Sequence, residues 1–308
     1  MRILVTGGAG FNGSNVVDRY LADGHEVSVV DNLATGQREN VSPAASFHEV
    51  DITDAEALGC VFAAARPEVV NHHAAQMDVR RSVREPVFDA ITNIAGSINV
   101  IEAGLAVGTR RVIYSSTGGA VYGELEQIPA PESHPINPIS QYGISKHTVE
   151  HYLRLYAANE GLEYVILRYA NVYGPRQNPH GEAGVTAIFA LKMLEGERPT
   201  IFGPGHKTRD YVFVEDVVAA NALALARGTG EAVNIGTGVQ TSDQQVYDTI
   251  AAAVGFGAPP VYSEERKGDI QHSALAIGHA RDALGWTPQV GLAEGVRRTV
   301  EALRAGCT

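Results

Sequence analysis

The chain is expected to fold as an α/β protein, a doubly wound parallel sheet followed by a smaller α/β substrate-binding unit. Three observations predict this. Strand signals near 2–6, 26–30, 46–50, 68–72, 111–115 and 163–169 alternate with helical stretches, an order that lays strands parallel and covers both faces of the sheet. A turn rich in glycine follows the first strand directly, and the second strand ends on an acidic residue. Ligands of such sheets bind beyond the carboxyl ends of the strands, where these motifs fall.

The first apolar run, Ile3 to Val5, reads as a buried parallel strand, and Gly7, Gly10 and Gly13 follow it as G-x-x-G-x-x-G. Glycines let the chain turn tightly and bring backbone N–H groups against a pyrophosphate, which then meets the positive end of the helix dipole. The second strand, Glu26 to Val30, ends in Asp31, eighteen residues after Gly13. A carboxylate there accepts from a ribose 2′-hydroxyl and repels a 2′-phosphate, so NAD is expected over NADP. Arg38, a few residues on, reads as a solvated loop charge. A third strand around Phe47 to Val50 leads to Asp51 and Ile52, placed to edge the adenine.

Strand four closes as Val69-Val-Asn-His-His-Ala-Ala-Gln76, with small residues where a cofactor needs close approach. The adjacent histidines suggest a metal, but no acidic or cysteine partner follows at ligand spacing, so none is expected. Strand five closes as Tyr114-Ser-Ser-Thr-Gly-Gly-Ala-Val-Tyr122-Gly. A hydroxyl there, from Thr117 or Ser116, would lie beside Tyr142 and hydrogen-bond a reacting oxygen. Tyr142-Gly-Ile-Ser-Lys146 sets a phenol and an ammonium one helical turn apart, on one face. The nearby positive charge favours the phenolate, so Tyr142 is expected to act as a base below its usual pKa of about 10.

After Gly174-Pro175 the pattern is less regular, and loops rich in Gly, Pro and charge separate short apolar pieces. The expected division is 1–174 for the cofactor-binding domain and 175–308 mainly for the second. Segments near 210–240, such as Val212 to Val214 and Val233-Asn-Ile-Gly, are candidates for return to the large sheet. With 308 residues, 44% of them apolar, the chain can bury a large core. A net charge of −11 disfavours nucleic acid, leaving any anionic substrate to a few local arginines. Cys60 and Cys307 lie too far apart in sequence to suggest a disulfide framework or a zinc site. No apolar run approaches the roughly 20 residues that span a bilayer, and no signal-peptide pattern precedes the first strand, so a cytoplasmic location is expected.

The G-x-x-G-x-x-G turn, Asp31, the hydroxyl loop ending in Val121-Tyr122-Gly123 and the Tyr142/Lys146 pair together resemble the extended short-chain dehydrogenase/reductase family, within it the UDP-glucose 4-epimerase type. The likeness continues through Leu167-Arg-Tyr-Ala-Asn171-Val-Tyr-Gly-Pro, Arg209-Asp-Tyr-Val and Arg266-Lys-Gly-Asp269, so it covers nearly the whole chain. It implies a Rossmann domain that keeps its NAD, with cofactor contacts at Gly7, Gly10, Phe11, Asn12, Gly13, Asp31, Asn32, Asp51 and Ile52. Further along the chain it implies them at His73, Ala74, Ala75, Gln76, Asn93, Ser115, Tyr169 and Val172, besides Tyr142 and Lys146. Tyr142 would take the proton from the sugar 4-hydroxyl, Lys146 would hold the cofactor ribose, and Thr117, with Ser116 as the alternative, would orient the 4-oxygen. The 4-keto sugar would turn about its diphosphate tether and receive the hydride on its other face.

For the UDP-sugar, the resemblance implies Arg209 and Arg266 as diphosphate clamps, joined by Asn171, since guanidinium forks match phosphate oxygens; it also places Tyr211 among the substrate-binding residues. Asp269 would accept from the nucleotide ribose, Thr200 and Phe202 would border the uracil, and Val185, Thr186 and Phe189 its approach. Relatives that run 4,6-dehydration or glucuronate decarboxylation place an acidic side chain after the strand-five hydroxyl, whereas Gly118 and Gly119 stand here. Epimerisation is therefore expected, with UDP-glucuronate and UDP-pentose as other substrates for the same C4 chemistry. A non-enzymatic NAD-binding scaffold or redox sensor would often lack the Tyr/Lys pair or the arginines.

Three positions depart from the pattern. Asn12 stands where relatives carry Ile or Leu, and Met77 where some carry lysine. Ser273 falls where side-chain size near the sugar varies; a small residue leaves room for an N-acetyl group, so UDP-N-acetylhexosamines are expected as further substrates. Helical stretches near 87–105 and 143–158 imply, from related proteins, a homodimer joined through a four-helix bundle.

Overall fold

The computed structural model describes residues 1–179, 184–265 and 270–306. The first half runs β1 (Arg2–Thr6), α1 (Phe11–Ala22), β2 (Glu26–Asp31), β3 (Ser46–Glu49), α2 (Ala55–Ala65), β4 (Val69–His72), α3 (Val79–Arg84) and α4 (Pro86–Ala90), then a π-helical turn over Ile91–Ala95. It continues through α5 (Gly96–Ala106), β5 (Arg111–Thr117), α6 (Gly118–Val121), α7 (Gln141–Glu160), β6 (Glu163–Tyr169) and β7 (Asn171–Tyr173). The second half adds α8 (Val185–Leu194), β8 (Thr200–Phe202), β9 (Thr208–Arg209), β10 (Tyr211–Phe213), α9 (Val214–Ala224) and β11 (Glu231–Ile235). It ends with β12 (Thr241–Ser242), α10 (Asp243–Val254), β13 (Val261–Ser263), α11 (Gly278–Leu284) and α12 (Leu292–Arg304).

Seven strands form one parallel sheet in the order β11-β6-β5-β4-β1-β2-β3. Strand order reverses between β1 and β4, and a crevice opens there at the carboxyl edge. The apolar residues of β1 divide between two buried layers. Ile3 and Val5 pack with Val16, Val17 and Tyr20 of α1, while Leu4 packs on the other side with Val30, Val70 and Val149. Both faces are covered, which is why β1 is continuously apolar instead of alternating.

The second half returns to the large sheet through β11, whose Val233 and Ile235 pair with Leu167 and Tyr169 and are fully buried. Val212 and Phe213 take another course. They pair with Val172 and Tyr173 in a separate two-stranded sheet, and Val214 opens α9. The stretch near 87–105 is helical throughout, with a π turn inside it. Pro86 starts α4, and the π turn offsets α4 from α5, rotating side chains off a regular helical face. By contrast, α7 is continuous, with Ser140 accepting from Gly143 N–H at its start and Gly161 in the left-handed region at its end.

Candidate active site

The glycine turn is shaped by close backbone approach. Gly7 has φ +69°, and a Cβ there would sit 2.6 Å from the Ala74 nitrogen; a Cβ on Gly13 would strike the Gly7 carbonyl oxygen. Gly10 leads into α1 without a side-chain cap, so the first N–H groups of the helix remain for an anion. Asp31, buried at the end of β2, accepts from Ala9 N–H at 2.9 Å and Leu33 N–H at 2.9 Å, which fixes its carboxylate across the turn. Asn12 Oδ1 is buried with no hydrogen-bond partner. A side-chain-free anion cradle, a carboxylate beside it and an unpartnered polar atom at the helix start fit a dinucleotide. Phe11 lies half-buried in this first turn.

At the neighbouring strand end, Asp51 accepts from Asn32 at 2.7 Å and from Thr53 N–H at 2.8 Å. Burial would raise its carboxyl, but these hydrogen bonds hold it below the ordinary range. Ile52 is buried against Gly96.

His72 and His73 at the end of β4 are a structural pair. Thr6 and Ser97 bracket the His72 ring at 2.6 and 2.8 Å. Burial drives His72 well below its usual pKa and His73 down to about 3, with the Lys146 charge adding to both, so both rings are neutral. His73 stacks on Tyr169 at 6.2 Å between centroids. Among the described residues, no group of three or more His, Cys, Asp or Glu is placed to hold a metal. Beyond Ala74 and Ala75, both half-buried, Gln76 and Asn93 exchange hydrogen bonds: Gln76 N–H donates to Asn93 Oδ1 at 2.7 Å, and Asn93 Nδ2 to the Gln76 carbonyl at 2.9 Å.

Helix α7 presents Tyr142 and Lys146 one turn apart, with Ser82 accepting from Tyr142 N–H at 3.2 Å. The Lys146 ammonium lies 4.4 Å from the centroid of the Tyr114 ring. Burial lowers Lys146 to about 7, opposed by Glu150 and Asp89. The expectation for Tyr142 is corrected here. Burial, and after it the Asp89 carboxylate, push the phenol above its ordinary value, because a buried anion lacks water and faces a second negative charge.

The two hydroxyl candidates on β5 are separated by strand alternation. Ser116 points toward α7 and donates to Glu150 Oε1 at 2.7 Å. Thr117 accepts from Ala120 N–H at 3.2 Å, leaving its own proton to donate elsewhere. Ser115 is buried one position before Ser116, on the same side of the strand as Thr117. Glu150 also binds Arg168 at 3.0 and 2.5 Å, and Arg168 binds Tyr122 at 2.8 Å.

The second half contributes an uneven set. Asn171 is exposed and its N–H donates to the Asp210 carbonyl at 2.9 Å. The Arg209 guanidinium donates to the Thr208 carbonyl at 2.8 Å, while the Asp210 carboxylate takes Thr237, Gly238 and Leu275 instead of forming an Arg209 pair. Tyr211 is buried and meets Tyr173 edge-on at 6.3 Å; Val172, half-buried, pairs with Val212. Thr186 is buried with its hydroxyl unpartnered, next to half-buried Val185, whereas Phe189 packs into the core against Tyr247. Thr200 and Phe202 are half-buried on β8, and Ser273 is buried with its N–H on the Thr208 carbonyl at 3.1 Å. Arg266 and Asp269 lie outside the described residues, as does Cys307.

Sequence reasoning missed Asp89 and Glu150. Glu150 was legible in principle, continuing the i, i+4 series of Tyr142 and Lys146. Asp89 lies among exposed apolar neighbours on a short helix and carries no local signal.

The model of the NAD dependent epimerase/dehydratase family matches residues 3–236. The chain belongs to that family. A UDP-glucose 4-epimerase of Mycolicibacterium smegmatis is 47% identical over 310 residues, covering 99% of each chain. The solved UDP-glucose 4-epimerase of Thermotoga maritima with UDP-glucose is 50% identical over the full length of both chains, at a TM-score of 0.98. That of Thermus thermophilus in complex with NAD is 46% identical over 99% of each, at 0.94. The cofactor of this epimerase/dehydratase is NAD.

Proposed function

We propose that the chain interconverts UDP-glucose and UDP-galactose by NAD-dependent 4-epimerisation. The observation that carries this reading lies just past Thr117. Gly118 and Gly119 stand there, so the chain offers no carboxylate at those positions for the second acid/base step of a dehydratase. One base and one hydroxyl suffice for reversible oxidation at C4.

Tyr142 takes the proton of the sugar 4-hydroxyl and returns it after the sugar has turned. Thr117 donates to the 4-oxygen, since Ser116 is committed to Glu150. Lys146 supplies positive charge beside the phenol and holds the cofactor ribose. Bound NAD supplies the hydride acceptor and donor and, beside Tyr142, a positive ring that opposes the upward push of burial. Arg209, Arg266 and Asn171 hold the diphosphate, Asp269 the ribose, and Thr200, Phe202, Val185 and Thr186 border the base. Residues 1–174, closed by β11, form the NAD domain, and most of 175–308 recognises the nucleotide sugar.

Two helical faces support a homodimer. Val87, Ile91, Ile144 and Leu155 are all at least half exposed on α4, the π turn and α7, and a second copy is the occupant that buries them. Among the described residues no helix is long and apolar enough to cross a membrane, and a cytoplasmic enzyme fits these substrates. Ser273, small and buried, favours UDP-N-acetylhexosamines as additional substrates.

Purified protein incubated with UDP-galactose and no added NAD is expected to form UDP-glucose. No conversion by protein shown to contain bound NAD sinks the proposal. Rejection of both UDP-GlcNAc and UDP-GalNAc in the same assay disposes of the wider specificity.

A further inference from the structure

Asp89 is fully buried at the end of α4, and its carboxylate joins three parts of the molecule. Ser145, the residue before Lys146 on α7, donates to Oδ2 at 2.6 Å. Gln76, from the loop after β4, and Asn93, from the π turn, both donate to Oδ1 at 3.0 Å. These three donors are neutral. A buried carboxylate so arranged is satisfied in hydrogen bonds but not in charge, which is costly unless a cation stands near.

Lys146 is the cation on which Asp89 acts, and the other charged or titratable groups facing Lys146 are few. Tyr114 lies under the ammonium from β5, Glu150 acts from α7, and the neutral rings of His72 and His73 face it from β4. Glu150, whose charge acts on Lys146 ahead of that of Asp89, is shared with Arg168 in an ion pair. Asp89 has no such partner among the contacts above, and its field reaches both Lys146 and Tyr142.

We propose that Asp89 is a positioning residue for the reaction inferred above: its carboxylate fastens the loop after β4 to α7 and supplies, alongside Glu150, fixed negative charge that supports the Lys146 ammonium. The π turn has a part in this. It brings Asn93 and Asp89, four residues apart, onto the same Gln76 side chain and backbone, so the cofactor loop and the helix carrying the base share one anchor. The proposal rests on the epimerase reading for its kinetic consequence but not for its electrostatic one.

The test uses the NAD-loaded enzyme and Asp89→Asn, with Asp89→Ser as a second variant that removes the charge and leaves room for water. Tyrosine labelled with carbon-13 at Cζ reports Tyr142 ionisation by NMR, its resonance assigned by its loss in Tyr142→Phe. Both charge-removing variants are expected to lower the Tyr142 transition by about one pH unit, the size of a single close charge. Both limbs of the kcat/KM profile should move down with it, since Lys146 also gives up its proton sooner. Asp89→Glu should restore the wild-type limbs, and Ser145→Ala, which keeps the charge, should leave them in place. A Tyr142 transition that stays put in both charge-removing variants, or moves equally in Ser145→Ala, overturns the proposal. If wild-type protein fails to convert UDP-galactose while the NMR transition shifts as expected, the reaction assignment fails and the role of Asp89 stands.

Discussion

At the scale of single residues, the site turns on two groups moved in opposite directions by the same burial: Lys146 down to about 7 and Tyr142 upward. A phenol this reluctant to ionise is a strong proton acceptor once ionised, so the charges gathered around it decide when it works. Tyr142→Phe is expected to lower turnover by about a hundred- to ten-thousand-fold while NAD stays bound. The check is coenzyme absorbance on purified protein alongside conversion of UDP-galactose; retained turnover refutes the assigned base. The Tyr142/Lys146 pair was legible because helical spacing is written in the sequence. The choice between Thr117 and Ser116 was not, because it depends on which face of β5 is covered by α7. The direction of the Tyr142 shift was hidden for a similar reason, since it follows from burial in the folded chain and, after that, from Asp89 in a distant part of the sequence.

At the scale of elements, α7 is the working part. It carries the proposed base Tyr142, Lys146 and, one turn further, Glu150, whose contacts with Ser116 and Arg168 pin the helix to β5 and β6. Burial alone would raise Glu150, yet hydrogen bonds from His147, Arg168 and Ser116 bring its carboxyl down to about 2. The unfolded carboxyl titrates near about 4.3. The native state therefore gains this stabilisation fully above that pH and loses it as pH falls toward 2. Glu150→Gln is expected to cost about 3–5 kcal/mol at neutral pH, because it leaves Arg168 buried without its partner. It should also flatten the acid dependence of the melting temperature between about pH 5 and 2. A variant melting like wild type at pH 7 contradicts this. The strands and α1 were legible from apolar runs and glycines. The π turn within the stretch near 87–105 was less so: Pro86 announces a helix start, but nothing local announces the π turn that carries Asn93 to Gln76.

At the scale of the whole molecule, the apolar faces of α4 and α7 stand out as a feature that one chain leaves unexplained. Val87 is 70% exposed and Leu155 54%, more than scattered surface residues need when they adjoin others like them. Sedimentation is expected to show a dimer, and Val87→Asp combined with Leu155→Asp a monomer. A wild-type monomer at micromolar concentration removes the homodimer. The seventh strand has a consequence of another kind. Because β11 pairs along all of its length with β6, a piece of the chain cut at residue 174 would present β6 as a raw edge, its open N–H and C=O groups inviting the wrong partner. The second half of the chain thus lends a plank to the sheet built by the first. A transplant of the second half from a relative is therefore expected to stay intact only when that plank comes with it.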